Sequence, residues 1–266
     1  MASAQAAPAA VPKETRIVRS VSHAAGLLKA LHALGKPATL SDLSRRIWLS
    51  KPATYALLKT LEIDGLIERD QNARYRLSWG LYELGSAVTQ QVNLTRAARM
   101  QIDRLATLTG EAVLLGILDH ASVLYLDRGE LNQSFTMVAN IGRRSPLHTN
   151  ATGKVLLAYQ DEKYIDALVH DRLAPTTSLT VTDPDQLTAE LVRVRQSGYA
   201  LCRQEQEIGL SSIAVPVFDS GGIAAALTIA GPTSRVSGEA LPRLLSALRA
   251  TAGEVSQQIS SVNPGR

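Results

Sequence analysis

Lysine and arginine residues cluster in the first third of this sequence, where together they could bind a negatively charged partner. Residues 13–76 hold twelve Lys and Arg against six Asp and Glu, whereas the whole chain of 266 residues has a net charge of only +4. The remainder is therefore mildly acidic. This asymmetry favours contact between the first third and a polyanion such as nucleic acid. Charge alone leaves open a solvated basic face without a partner.

Other chemically active residues are too few or too scattered for a metal or redox centre. The single cysteine, Cys202, excludes an internal disulfide, a zinc finger and a multi-cysteine iron–sulfur site. Histidines stand at positions 23, 32, 120, 148 and 170, and no two have the i,i+4 spacing of a helical metal site. We therefore expect no metal, no cofactor and no catalytic residue. His148 and Lys154 are expected to make structural hydrogen bonds and Cys202 to be a small buried side chain, with a redox-sensing thiol as the alternative.

The composition is typical of a globular protein, with 45% hydrophobic and 20% charged residues. No apolar run approaches the ~18 residues that span a bilayer. Residues 1–14 are rich in Ala and Pro and lack the basic start and dense apolar core of a signal peptide. We expect this segment to be a disordered tail and the protein to be cytoplasmic.

The elements that must position the basic residues have the pattern of a winged helix-turn-helix, which we place at residues 15–78. Gly35 ends a first amphipathic segment, and Thr39 and Asp42 resemble a capping box that opens a second one. Ser50 is a good N-cap for the third. The expected elements are helices at about 20–34, 40–47 and 51–64, a tight turn at 48–50 and a hairpin at 66–77.

In this fold the third helix enters the major groove of DNA with its N-terminal residues foremost. Lys51 is then expected to neutralise a phosphate or reach guanine, and Thr54 and Tyr55 to touch base edges or the thymine methyl group. Alternatives remain open for Tyr55, as half-buried packing, and for the arginines, as solvated side chains. We expect Trp48 to be a packed turn residue rather than a base contact. The full set of expected DNA contacts is Arg45, Arg46, Ser50, Lys51, Pro52, Thr54, Tyr55, Lys59, Arg74 and Arg76.

A linker helix is expected at residues 79–96, followed by an α+β domain at 97–266. Apolar residues recur at helical spacing through the linker, as in helices that space the two halves of a DNA-binding dimer. Dense apolar runs then alternate with helical segments, which favours an antiparallel sheet flanked by helices. The expected strands are at about 112–118, 123–126, 135–138, 199–202, 212–218 and 223–229, and the helices at 98–108, 153–159, 162–169, 184–196 and 238–259.

Two stretches of the second domain carry a family resemblance. The first, from Gly142 to Ala158, reads GRRSPLHTNATGKVLLA, and the second runs from Gly198 through Arg203, Glu205 and Gly209 to IAVPV and GP. Together with LLKTL and GLIER in the first domain, these motifs resemble the IclR family of bacterial regulators over about residues 20–259. Several ordered motifs over that length are far more specific than any one of them.

The resemblance implies a GAF-like effector domain, a small organic acid as ligand, and a dimer or dimer of dimers on a double-stranded operator. A helix that begins at Ala151 and Thr152 would favour a carboxylate, and an acidic residue of some relatives is replaced by Cys202, which suggests an aromatic or longer-chain acid. By position, the resemblance implies a pocket lined by Met137, Ala151, Thr152, Cys202, Leu210, Ser212, Thr228 and Ala230.

Two other classes of function compete with a ligand-responsive regulator. An enzyme would need a nucleophile–base pair or a phosphate-binding glycine loop, and the sequence offers neither. A protein-interaction module would keep the winged helix but show no salt-dependent DNA binding. The sequence does not distinguish a repressor from an activator.

Overall fold

The computed structural model describes residues 17–91, 93–129, 141–142, 144–170 and 173–262. The chain divides into two compact units between Gln91 and Val92. The expected disordered tail at 1–14 and the expected strand at 135–138 lie outside the described residues.

The N-terminal unit has the helix-turn-helix expected from the sequence. Gly35, at φ 60°, ends the first helix, and Thr39 and Asp42 form both halves of a capping box at the start of the second. Leucines of all three helices share one core with Ile67 and Tyr75. The elements are α1 (Arg19–Leu34), β1 (Ala38–Thr39), α2 (Leu40–Arg46), α3 (Lys51–Ile63), β2 (Ile67–Arg69), β3 (Arg74–Leu77) and α4 (Trp79–Gln91).

The wing of this unit has one more strand than the sequence pattern predicts. The described residues form an antiparallel sheet in the order β1-β3-β2. Ala38 pairs with Tyr75 and Thr39 with Arg74, so the two residues before α2 join the hairpin. Arg74 is thereby held beside the start of α2.

The C-terminal unit is an α+β domain, as expected. Its elements are α5 (Asn93–Thr109), β4 (Ala112–Asp119), β5 (Ser122–Gly129), β6 (Arg144–Pro146), α6 (Ala151–Ala158), α7 (Glu162–Val169), α8 (Pro184–Ser197), β7 (Ala200–Arg203), β8 (Leu210–Asp219), β9 (Gly222–Pro232), α9 (Thr233–Val236), a 3₁₀ turn (Gly238–Ala240) and α10 (Leu241–Val262). Among the described residues the strands form one antiparallel sheet in the order β6-β5-β4-β9-β8-β7.

Two separate cores lie on the two faces of this sheet. Helices α5 and α10 cover one face, whereas α6, α7 and α8 belong to the core on the other. Helix α5 begins at Asn93 and its Leu94 is buried in the first of these cores, whereas the sequence predicts that the linker helix continues to residue 96. None of the described helices is long and apolar enough to cross a membrane.

Candidate functional sites

Most of the expected DNA contacts on α3 lie on its exposed side. Ser50, Lys51, Pro52 and Tyr55 are exposed, and the Ser50 hydroxyl also caps the helix by accepting from the Ala53 N–H at 3.4 Å. The first turn of α3 therefore presents a hydroxyl, a cation and an aromatic ring to solvent.

Thr54 does not share that exposed side. Its side chain is completely buried, and its hydroxyl donates to the Ser50 carbonyl at 3.0 Å. The expectation that Thr54 touches a base edge is therefore wrong for this conformation. A threonine hydroxyl that is satisfied by the preceding helical turn can be buried without a polar cost. Thr54 lies four and seven residues before the core leucines Leu58 and Leu61, and so on the same face of α3.

Trp48 also differs from its expected environment. Its side chain is 92% exposed, and the residue lies in the left-handed region at φ 57°. The expectation of a packed turn residue is therefore wrong.

A groove of about 530 Å³ gathers cations from α2, from β3 and from the segment between α1 and β1. Lys36, Arg45, Arg46 and Arg74 line it together with Asp42. Arg45 pairs with Asp42 at 2.7 Å, while the guanidinium of Arg46 has no carboxylate partner among the described residues. The hydrogen bond from Thr39 lowers the pKa of Asp42, so this carboxylate stays charged. The groove keeps a net positive charge, which suits a DNA phosphate.

The other residues expected to contact the DNA backbone are exposed, but they already form ion pairs within the protein. Lys59 reaches Glu62 at 3.0 Å, and Arg76 pairs with Glu68 across the wing. Exposed pairs of this kind contribute little to stability and exchange easily for a phosphate partner. Lys36 was missed by sequence reasoning, because only the pairing of β1 with β3 brings it near Arg74.

In the C-terminal unit, helix α6 is seated very tightly on the sheet. All eight of its residues are buried. The Asn150 side chain accepts from the Gly153 N–H at 2.8 Å and donates to the Pro146 carbonyl at 2.8 Å. A Cβ on Gly153 would lie 2.2 Å from the Leu147 carbonyl oxygen, and one on Gly116 of β4 would lie 2.6 Å from a Thr152 methyl carbon. Both glycines are therefore needed for the close approach.

A chain of hydroxyl groups joins α6 to the sheet at the expected effector pocket. Thr152 Oγ1 lies 2.8 Å from Thr228 Oγ1 and 3.3 Å from the Tyr125 hydroxyl. The Ala151 N–H donates to Ser212 Oγ at 3.4 Å. Burial raises the pKa of Tyr125 to about 12, so its hydroxyl stays a donor at neutral pH. Sequence reasoning missed Tyr125, although strand alternation with buried Val123 indicated its face.

The remaining expected pocket residues complete the same region. Leu210, Ala230 and Cys202 are buried in the core that contains α6, whereas Met137 lies outside the described residues. A cavity of about 510 Å³ lies elsewhere, between α8 and β7, and it is lined by none of the expected pocket residues that the structure describes.

A buried ion cluster anchors α6 on its other side. The Lys154 ammonium, with no exposed surface, lies 2.7–2.8 Å from the Glu205 oxygens and 2.8–2.9 Å from those of Glu190. Burial alone would lower the pKa of Lys154, but the neighbouring Cys202, Glu190 and Glu205 groups outweigh it and hold that pKa above its ordinary value. Lys154 is therefore a structural cation, as expected.

The other two candidates for chemistry also have structural partners. The single hydrogen of the Cys202 thiol can be donated to the Thr149 carbonyl at 3.3 Å or to the Glu205 carboxylate at 3.1 Å, and burial raises the pKa of Cys202 well above the usual range. A protonated, buried thiol is a poor redox sensor. His148 hydrogen bonds through Nε2 to the Ala174 carbonyl at 3.0 Å. The described residues contain no group of three or more His, Cys, Asp or Glu that could hold a metal ion.

Comparison with known proteins places both units in one family. Residues 20–71 match the IclR helix-turn-helix domain, and residues 86–257 match the bacterial transcriptional regulator IclR C-terminal domain. The chain is 36% identical over 256 residues to the HTH-type transcriptional regulator KdgR of Escherichia coli, covering 95% of this chain and 97% of that protein. It is 34% identical over 223 residues to the regulator XynR of the same organism, covering 83% and 88%.

Solved structures share the fold. A transcriptional regulator from Rhodococcus sp. RHA1 has a TM-score of 0.80 at 29% identity, over 93% of this chain and all of that one. An IclR homologue from Microbacterium hydrocarbonoxydans, complexed with 4-hydroxybenzoate, has a TM-score of 0.83 at 24% identity, over 91% and 99%. The relatives are transcriptional regulators rather than enzymes, which removes the enzyme hypothesis. The chain belongs to the IclR family of DNA-binding transcriptional regulators, which have a C-terminal effector-binding domain.

Proposed function

We propose that this chain regulates transcription in response to a small organic acid that binds between the start of α6 and the sheet. The observation that carries this proposal is the convergence of donors there. The Ala151 N–H and the hydroxyls of Thr152, Ser212 and Thr228 come from α6, β8 and β9 and form two hydrogen-bonded pairs at the start of α6, Ala151 with Ser212 and Thr152 with Thr228. A helix N-terminus with convergent donors is a favourable environment for a carboxylate.

The charges nearby give the acid a preferred orientation. Lys154, Glu190 and Glu205 together carry one net negative charge, and Cys202 contacts Glu205 directly. A carboxylate is repelled from that side, so the acid group is expected at Ala151 and the rest of the ligand toward Cys202 and Leu210. The fold accommodates an aromatic acid in the Microbacterium homologue, which was crystallised with 4-hydroxybenzoate. Aromatic acids are therefore a leading class for this chain.

The DNA-binding half of the proposal rests on α3 and the basic groove. Ser50, Lys51, Pro52 and Tyr55 are expected to enter the major groove, with Tyr55 at base edges and Lys51 at a phosphate or guanine. Arg46 and Arg74 are expected to bind phosphate together with Lys36. A homodimer or dimer of dimers would set two copies of α3 about one DNA turn apart on a palindromic operator. We expect this DNA binding to take place in the cytoplasm.

Thermal unfolding in the presence of small acids tests the effector site. The panel comprises keto, aromatic and sugar acids, each beside its methyl ester. A ligand at 100 times its Kd that binds only the folded state adds about 2.7 kcal/mol of stability. We expect at least one acid to raise the unfolding midpoint while its ester does not, because the ester cannot accept charge-assisted hydrogen bonds.

Two variants then locate the site. Ser212→Ala and Thr228→Val each remove one hydroxyl and should abolish most of the acid's shift, whereas Ser220→Ala, in the exposed turn between β8 and β9, should keep it. An acid that also changes affinity for DNA completes the case. Shifts that survive in both pocket variants, or equal shifts with acid and ester, would contradict the proposed site.

A further inference from the structure

The tight turn between α2 and α3 holds a tryptophan where the backbone favours glycine. Trp48 has φ 57°, in the left-handed region that bulky L side chains rarely adopt. The residue that follows α1 has nearly the same φ, 60°, and is Gly35. The turn itself therefore gives no reason for an indole.

Packing gives no reason either. The Trp48 side chain is 92% exposed, and its ring takes part in none of the ring or cation–π contacts among the described residues. Natural sequences keep strained backbone positions mainly where function uses them. An exposed, strained and unpartnered indole therefore indicates a contact outside the chain.

We propose that Trp48 is a DNA-contacting residue, whose ring lies on the sugar–phosphate backbone beside the major groove and whose Nε1–H donates to a phosphate oxygen. The position fits, because Trp48 stands two residues before Ser50, the N-cap of the helix expected to enter the groove. The chemistry fits as well, because an indole offers a large apolar face for a sugar ring and one N–H donor for a phosphate. This inference rests on the DNA binding proposed above and adds a residue to it.

The charges around Trp48 favour DNA over a protein as its partner. Arg45 and Arg46 precede it, Lys51 follows it, and all three are exposed. An apolar protein surface that covered the indole would also have to desolvate these cations. A polyanion pairs with them instead.

The first experiment measures binding of the full chain to a duplex of about 30 bp, long enough for two half-sites, that the parent protein has selected from random sequences. Trp48→Gly should weaken binding about tenfold, the size of an aromatic contact to nucleic acid. The slope of log affinity against log salt should not change, because an indole carries no charge. The thermal midpoint of the N-terminal unit should rise by about 4 °C, because glycine relieves the strain at φ 57°.

The second experiment uses the variant Trp79→Phe, both to isolate the fluorescence of Trp48 and as a control for DNA binding. The chain has two tryptophans, so this variant leaves Trp48 as the only indole, while phenylalanine keeps the ring contact of position 79 with Tyr82. It should bind the duplex as the parent does. Acrylamide should quench Trp48 strongly in the free protein and several-fold less once the duplex is bound.

Each outcome decides the proposal. Equal affinity of Trp48→Gly and the parent, or undiminished quenching on DNA, overturns it while DNA binding itself stands. A lower thermal midpoint for Trp48→Gly also overturns it, because the indole would then be packing within the fold. Failure of the parent to select any duplex would overturn both this inference and the DNA binding on which it rests.

Discussion

Replacing Lys154 with methionine tests what holds helix α6 on the sheet. The Lys154 ammonium is fully buried between Glu190 and Glu205, with four N–O distances of 2.7–2.9 Å. Methionine occupies a similar volume but leaves two carboxylates facing each other with little access to water. Removal of one partner from a buried ion pair costs about 3–5 kcal/mol, a large part of the ~5–15 kcal/mol that keeps a typical domain folded.

Urea unfolding followed by two signals distinguishes a loss of stability in the C-terminal unit from a loss throughout the protein. Trp48 and Trp79 both lie in the N-terminal unit, so tryptophan fluorescence reports that unit, whereas far-UV circular dichroism reports both. In Lys154→Met we expect the dichroism transition to begin about 1 M lower in urea or more. The fluorescence transition should stay in place. Lys163→Met, on an exposed lysine of α7, should change stability by less than about 0.5 kcal/mol.

A rescue variant decides whether unpaired charge is the cause. Adding Glu190→Gln and Glu205→Gln to Lys154→Met removes both carboxylates and should recover part of the lost stability. The single variant should also regain stability as the pH falls toward about 5, because protonation neutralises a carboxylate that the fold has left unpaired. An unchanged dichroism midpoint in Lys154→Met, or a triple variant no more stable than the single one, would refute the reasoning.

Three further predictions concern packing, alkaline stability and DNA. Gly153→Ala should lower the urea midpoint measured by dichroism and cost about 1–3 kcal/mol of stability, because its Cβ would lie 2.2 Å from a backbone carbonyl oxygen. The same change at exposed Gly253 of α10, where a Cβ meets nothing within 4 Å, should stabilise the protein instead. The parent should lose roughly 2 kcal/mol as the pH rises from 10 to 12, because Tyr125 ionises in the unfolded chain but keeps its proton in the fold until its raised pKa of about 12 is passed. Tyr125→Phe should lose less over this range in pH-dependent urea unfolding. Arg46→Ala should reduce the salt slope of DNA binding by about 1, and Arg243→Ala, an exposed arginine of α10, should leave it unchanged in the same titration.

Local features of the fold could be predicted from the sequence because they depend on neighbours in the chain. The capping box at Thr39 and Asp42 and the N-cap at Ser50 each join residues three positions apart, and the structure contains both. Helical periodicity located the segments of α1, α3, α7 and α8 to within a residue or two. Strand β1 was not predicted, because its two residues carry no pattern and become a strand only by pairing with β3.

The orientation of single side chains was less predictable, and polarity misled at two positions. Thr54 is polar yet buried, because the Ser50 carbonyl satisfies its hydroxyl. Trp48 is apolar yet exposed, in a turn where its backbone is left-handed. Neither reversal is visible in residue type. The ion cluster was equally hidden, because Lys154 meets partners 36 and 51 positions along the chain.

The proposed effector site and the ion cluster together would suit α6 to a sensing role. Its first turn bonds to the sheet through hydroxyls and one N–H, which a ligand can replace, whereas Lys154 fixes its next turn through charges that no neutral group can replace. An apolar molecule at the hydroxyls would leave buried donors unsatisfied, at about 1–3 kcal/mol each, whereas an acid accepts from several at once. A ligand must replace the hydrogen bonds that these groups already make within the protein, and this requirement would make the site selective for an acid. Because interfaces this closely packed shift between discrete arrangements, an acid that draws Thr152 away from Thr228 must move the start of α6 as a unit.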